Sequence, residues 1–406
     1  MTPSIGFRKA TWPMTLLVSL AVPCTALAER HVIKKIPVEG DYGWDYLTAD
    51  SDARRLYVSH DREVVVLDLD SGALIGKIPG KSVHGIAVVK EFGRGFISCS
   101  DPGSIVIFDL KTLAVIDRVP VGDDPNVILF DRKTRHIFTA DRGSKRVTAL
   151  DPKTGKVVGT IEGLGGKTEH AASDDAGNIF INMQDLNTML KLDSQNLKVL
   201  ETWPMAPCQQ PSSMDIDRAH HRVFVGCRSG VMAVVDANSG KIVTTQPIGR
   251  GGDATEFDPD RGLVYFSCGD GTMAVFHEDS PDKYSLVETV KTQTGARTMA
   301  VDRKIGRAFL SVSEFGPRPD ATGGISPARA PMVHRQFFSD RGRSGINQPP
   351  ASRFASTLAQ PLNPRSKEAA TRCSRSPMAS CSGAPPAPAS RDIAFHRCSP
   401  AGEILE

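Results

Sequence analysis

The sequence predicts an all-β fold: a seven-bladed β-propeller of four-stranded antiparallel blades, the last blade closed by the N-terminal strand. Three observations predict it. A β-rich motif with an aromatic recurs as LYVSH (56–60), FISC (96–99), IFTAD (137–141), IFINM (179–183), VFVGC (223–227), VYFSC (264–268) and AFLSV (308–312), seven copies in all. The repeat length is that of one propeller blade. No helical periodicity competes with the alternating strands between these motifs.

Each motif but the last is followed by an alternating strand that ends in a turn, and the turn residue is Asp68, Asp109, Asp151, Asp193 and Asp236 in five successive copies. The steps between them are 41, 42, 42 and 43 residues, and His277 stands 41 residues beyond the last. A turn Asp has a local job, because its carboxylate accepts from backbone N–H groups two residues on, and the Gly of SG or TG supplies positive φ for the hairpin. These aspartates are therefore read as structural. Within a unit the order is an inner strand, the aromatic strand, the Asp-turn strand and an outer strand such as ALIGKIPG. HVIKKIPV (31–38) has the outer-strand pattern ahead of the first inner strand, and is assigned to close the last blade.

The YVSH, VFVGC and D-x-x-[ST]-G-K-x-V segments resemble the YVTN family of β-propeller repeat proteins over residues 31–316. The resemblance implies architecture rather than activity, since one fold hosts many functions. Propellers of this general type include lactonases and quinoprotein or amine dehydrogenase subunits, which sets the alternative reading of this chain as a propeller enzyme.

Residues 1–28 read as a signal peptide, with basic Arg8 and Lys9, an apolar run Met14–Val22 and an Ala26-Leu27-Ala28 cleavage signal. The apolar run is too short for a membrane span, which needs about 20 residues. Cys24 lacks the residues of a lipobox. The mature protein is expected in a periplasm or outside the cell, where disulfides persist. A formal net charge of +3 on 406 residues gives no electrostatic reason for nucleic acid as a partner.

The repeats stop after Gly316. Residues 317–406 are rich in Pro, Ser, Ala and Arg, and Lys367 is their only lysine. They read as a disordered or frameshifted tail that should not be forced into structure. Shifted by one base, the codons of Val333–Ser344 can encode STGSFSVIVVG, which would supply the third strand that the last blade otherwise lacks.

Alignment on the turn aspartates places Asp45, Gly85, Asn126, Glu169, Ser212, Asp253 and Arg297 at the starts of the inner strands, where they should ring one mouth of the central channel. Trp44, His84 and His170 flank them. Convergent polar groups in a concave site mark a ligand-binding place, here for a small ligand or a protein. No cofactor is required by any motif, although His84, His170 and the ring carboxylates are ligand types that a divalent metal would use. No catalytic residue is assigned, because no G-x-S-x-G, C-x-x-C or C-x-x-C-H occurs. GLGGKT (163–168) has Ile161 where a phosphate loop needs its first Gly, and a strand follows it rather than a helix. His220 and His221, in DRAHHR, read as an exposed turn. The function expected is a monomeric binding scaffold.

Cys208 precedes the inner strand SMDID and Cys227 ends the adjacent VFVGC, so the two should meet at one face and form a disulfide. Cys99 and Cys268 end strands of other repeats and are expected as free thiols.

Overall fold

The computed structural model describes residues 30–40, 43–315 and 332–340. The expected signal peptide, and the tail apart from 332–340, lie outside the described residues. Every strand pairing is antiparallel, and the fold is a β-propeller of four-stranded blades. Among the described residues no helix is long and apolar enough to cross a membrane.

Among the described residues five separate four-stranded sheets form, rather than the seven expected, together with one six-stranded sheet. The six-stranded sheet arises because Arg55–Asp68 and Leu74–Val89 run without a break where two strands each were expected. Each of these long strands serves two neighbours. In the first, 55–58 pair with Leu47–Asp50, whereas 61–67 pair with 74–83 after a register jump at Asp61, whose φ is +47°. In the second, 83–89 turn to pair with Arg94–Cys99. Extended backbone carries the chain directly from one pairing to the next.

The aromatic motif strands each pair directly with an inner strand. Their rings bury completely or nearly so: Tyr57, Phe96, Phe138, Phe180, Phe224, Phe266 and Phe309 are 0–2 % exposed. Phe224 packs against Phe257 of the next sheet, with ring centroids 5.0 Å apart. The motif hydroxyls bind neighbouring repeats: Ser98 Oγ donates to the carbonyl of Asn126, Ser59 Oγ to that of His84 and Ser267 Oγ to that of Arg297. One motif residue therefore packs the layer while another fixes the neighbour's height.

The turn aspartates act as the sequence implies. Asp68 Oδ1 accepts from the amides of Asp70 and Ser71 at 3.1 and 2.8 Å, and Asp151 Oδ1 from those of Lys153 and Thr154 at 2.9 and 2.7 Å. The backbone bonds of the turn hold the carboxyls of Asp68, Asp109 and Asp151 below their ordinary range. Gly72 takes the left-handed conformation that the turn needs, and Leu113 adopts it in the next repeat.

The last sheet has the order Val32–Lys35, Met332–Asp340, Arg307–Phe315, Thr298–Asp302, so the N-terminal strand closes the ring as expected. Its third strand comes from the tail. Of the tail read as disordered or frameshifted, Met332–Asp340 is a strand here, and backbone chemistry gives it a place. Arg307–Phe315 and Val32–Lys35 leave unpaired N–H and C=O groups facing one gap, and a segment of almost any side-chain composition can satisfy them.

Cys208 and Cys227 form the expected disulfide, with Cα atoms 5.6 Å apart. Cys99 and Cys268 are buried free thiols.

Candidate functional site in the central channel

The inner strands contact one another in chain order, and Thr298–Asp302 packs against Leu47–Asp50 to close the circle. Their first residues are irregular. Register shifts interrupt pairing between Val83 and Ile86, Pro125 and Ile128, Thr168 and Ala171, Pro211 and Ser213, and Gly252 and Ala254. A bulge there re-aims side chains and lets consecutive residues approach the channel, which is how His84 and Asp45 come together.

The predicted residues meet through a chain of charges that runs round the mouth. His84 Nδ1 lies 2.5 Å from Asp45 Oδ2, and its Nε2 lies 4.0 Å from Asp124. Arg142 reaches Asp124 at 3.9 Å and Glu169 at 3.2 Å. Arg228 spans Glu169 at 3.8 Å and Asp253 at 2.7 Å, and Asp253 takes Arg297 on its other oxygen. The charge of Asp45 in turn acts on Arg297, whose guanidinium is held above its ordinary pKa first by Asp253. Asn126 Nδ2 donates to the carbonyl of Glu169 at 3.0 Å, and Ser212 Oγ receives Gln184 Nε2 at 2.9 Å and Arg228 Nε at 3.0 Å.

Two predicted positions do other work. Gly85 is a point of close approach, where a Cβ would lie 2.8 Å from the Asn126 carbonyl oxygen. Trp44 does not stand open at the mouth: its indole stacks on His60 at 4.1 Å and packs against the apolar cluster of the closing sheets. An indole set among apolar neighbours gains more from burial than from water.

Sequence reasoning missed half of the ring. Ser100, Arg142, Gln184 and Arg228 each follow the aromatic strand directly, and each bonds the mouth residue of the next repeat, Ser100 through Asp124 at 2.6 Å. The signal was available as the position after each motif, although its residue types vary.

Below the ring lies a cavity of about 210 Å³ lined by Tyr46, Phe130, His170, Asp215, Asp253, Glu256 and Arg303 among others. Tyr46 donates to the Glu169 carbonyl at 3.0 Å, and burial together with Asp45, Glu169 and Asp253 raises its pKa well above the ordinary value. Burial pushes His170 down to about 4, so its imidazole is neutral. Burial also raises Glu169, against the pull of Arg142. Arg303 grips Asp215 at 2.9 Å and Glu256 at 3.2 Å, and burial raises Glu256 to about 7.

His84 and His170 do not share a metal-ligand set. Among the described residues, the group whose ligand atoms do gather is Asp217, His220 and Glu278, at the other end of the inner strands. His220, read as merely exposed, is half exposed and paired to Asp217 at 2.5 Å.

No family model matches the chain, and no curated protein matches it in sequence. Solved structures match its fold. The WD40 repeats of RRP9 superpose with a TM-score of 0.64 at 11 % identity, over 77 % of this chain and 100 % of that one. U3-55K gives 0.63 at 10 % identity, over 76 % and 99 %. Hydrazine synthase of Kuenenia stuttgartiensis gives 0.58 at 15 % identity, over 67 % and 94 %. At these identities the likeness is one of fold, the β-propeller.

Proposed function

We propose that this chain is an exported β-propeller scaffold of the YVTN repeat type that binds a small ligand in its central channel. On this reading the six-stranded sheet carries two repeats and the ring counts seven. The observation that carries the proposal is the cavity beneath the mouth, where apolar side chains such as Leu47, Phe130 and Met214 share the wall about equally with polar and charged groups that converge from different repeats, a concave place for a ligand. The ring above it is built from ion pairs between repeats, so a ligand there would be held by groups the fold has already positioned. Export fits the Cys208–Cys227 disulfide, a bond that lasts outside the reducing cytosol.

The test is native mass spectrometry of the full chain expressed in bacteria and recovered from whichever fraction, periplasm or cytoplasm, it reaches. A wild-type protein carrying a non-covalent small molecule, lost in Asp253→Ala, supports the reading; identical ligand-free spectra for both, with retained cytoplasmic location and an uncleaved N-terminus, would end it.

A further inference from the structure

The inner strands start at the channel mouth, and five of them end in an aspartate at the far end. Four of these acids are satisfied in one of two ways. Asp50 meets Lys90, Asp258 meets Arg261 and Asp302 meets Arg54, each at 2.6–2.7 Å. Asp131 takes hydroxyls instead, among them Ser194 Oγ of the next repeat at 3.0 Å. Asp217 differs: its Oδ1 accepts from the Ala219 amide at 2.9 Å, and its Oδ2 lies 2.5 Å from His220 Nδ1. The residue that the next repeat turns toward it differs as well. The amides of Leu69, Leu110, Ser194, Ala237 and Glu278 each donate to the carbonyl just ahead of an aromatic strand, so the five occupy one position of the repeat. Four are apolar or carry a hydroxyl, and the fifth is an acid. Where Ser194 gives Asp131 a hydrogen bond, Glu278 brings Asp217 a second carboxylate.

The side chains of Asp217 and Glu278 are 4 and 6 % exposed. Two carboxylates shut away from water at one point repel unless a proton or a cation lies between them. The neighbouring guanidiniums face other acids: Arg218 turns to Asp175 at 2.9 Å, and Arg222 binds Asp236 and Asp282, each at 2.7 Å. His220 alone stands between the pair, its Nδ1 also 3.8 Å from Glu278 Oε1, and the three ligand atoms lie within 4.8 Å of one another. That imidazole nitrogen sets the group apart from a patch of surface acid. An outer partner is in place too, since the buried Tyr284 has its hydroxyl 3.1 Å from Glu278 Oε1 and so orients the carboxylate.

We propose that Asp217, His220 and Glu278 bind one divalent transition ion of the zinc class, which bridges the repeats of Arg222–Cys227 and Leu263–Cys268 at the end of the inner strands away from the mouth. Two carboxylates and a neutral imidazole balance a charge of +2. The nitrogen selects against calcium and magnesium, which take oxygen ligands. Zinc takes nitrogen and oxygen in a tetrahedron whose ligand atoms stand about 3.4 Å apart. The 3.8 Å contact is already close to that, and the 2.5 Å contact opens as the ion displaces the Nδ1 proton to solvent. That movement falls to His220, half exposed in its turn, while the two buried acids keep their places. Three protein ligands leave one position of the ion to water.

The experiment uses the full chain freed of metal by chelation, with zinc chloride as the probe and calcium and magnesium chlorides as controls. The melting midpoint should rise with zinc concentration and not with the controls. Zinc should also slow the modification of His220 by diethyl pyrocarbonate, read by peptide mass spectrometry, because an ion on Nδ1 leaves Nε2 protonated. Glu278→Ser installs the hydroxyl of the Asp131 interface and should weaken zinc binding about tenfold or more in calorimetry, as should His220→Gln. The labelling result needs no variant and stands if either one folds poorly. An unchanged His220 labelling rate with zinc bound, or zinc held as tightly by both variants as by wild type, would overturn the proposal and assign the metal to other residues, such as the cysteines. Equal stabilisation by calcium or magnesium would overturn it as well.

Discussion

The turn aspartates at the rim and the carboxylates of the channel are the same chemistry at two radii. Asp68 and Asp151 each fill one carboxylate oxygen with partners two and three residues on. Asp253 and Glu169 are bound by guanidiniums of other repeats, Arg142 and Arg228 after motif strands and Arg297 at the start of an inner strand. A local partner forces one residue type at one spacing, and so writes a periodic signal. A partner supplied by the next repeat lets both members vary together, as Arg142 with Glu169, Gln184 with Ser212 and Arg228 with Asp253 show.

A third group of aspartates, at the ends of the inner strands, combines both habits and should matter most to stability. Asp131 is fully buried and accepts from Ser173 Oγ at 2.6 Å, Ser194 Oγ at 3.0 Å, and both the amide and the hydroxyl of Thr134 at 2.9 and 2.7 Å. Asp131→Ala strips a buried network spanning two sheets and should cost about 3 kcal/mol or more in urea unfolding. A loss under 1 kcal/mol would show that the neighbouring hydroxyls find other partners, and would dissolve the distinction.

The disulfide braces the mouth covalently. It ties the loop before Pro211–Asp217 to Cys227, the residue immediately ahead of Arg228 in the mouth. Replacing both cysteines by serine should cost about 3 kcal/mol, by loop-closure entropy for a separation of 19 residues. Melting of the oxidised and reduced wild-type chains checks it; equal midpoints would place the loop's order in packing alone.

How much was legible follows from the same contrast. The repeat length, the turn aspartates, the disulfide and the start of each inner strand were readable because a local rule fixes each. The fusion of 55–68 was not, since nothing in LYVSHDREVVVLD marks a break or its absence apart from Asp61, a residue tolerated at positive φ. Nor was Met332–Asp340, whose place in the last sheet is set by the open edges beside it. At the mouth, Asp45, Asn126, Glu169, Ser212, Asp253 and Arg297 were legible as positions, while their partners were not, because no single residue type repeats there.

The rim aspartates should reveal themselves in acid. Asp68 is held below its ordinary range, first by the amide of Ser71, so its contribution is present above the unfolded carboxyl pKa and is lost as pH falls toward the lower folded value. Asp68→Ala should cost about 1 kcal/mol at pH 7 and converge with wild type near pH 2 to 3 in chemical unfolding. A constant gap down to pH 2 would assign the loss to turn geometry rather than to the charged acceptor.

The smallest effect belongs to the mouth, and its sign is opposite. Burial alone would lower the His84 pKa, but its hydrogen bond to Asp45 and the charges of Asp45 and Asp124 raise it above the ordinary histidine value. A raised folded pKa means that the contribution of the pair is complete below the unfolded value of about 6.5 and fades as pH rises through the folded one. The pair is partly open to water, with side chains 21 and 27 % exposed, so solvent screening keeps its worth to about 1 kcal/mol or less. His84→Gln should therefore be slightly less stable than wild type at pH 6 and indistinguishable from it at pH 9. Salt should narrow the pH 6 gap, because the pair sits where ions reach it. Should the gap instead widen above pH 7, His84 is neutral in the folded state, and the mouth carries one more unbalanced carboxylate than the ring of pairs implies.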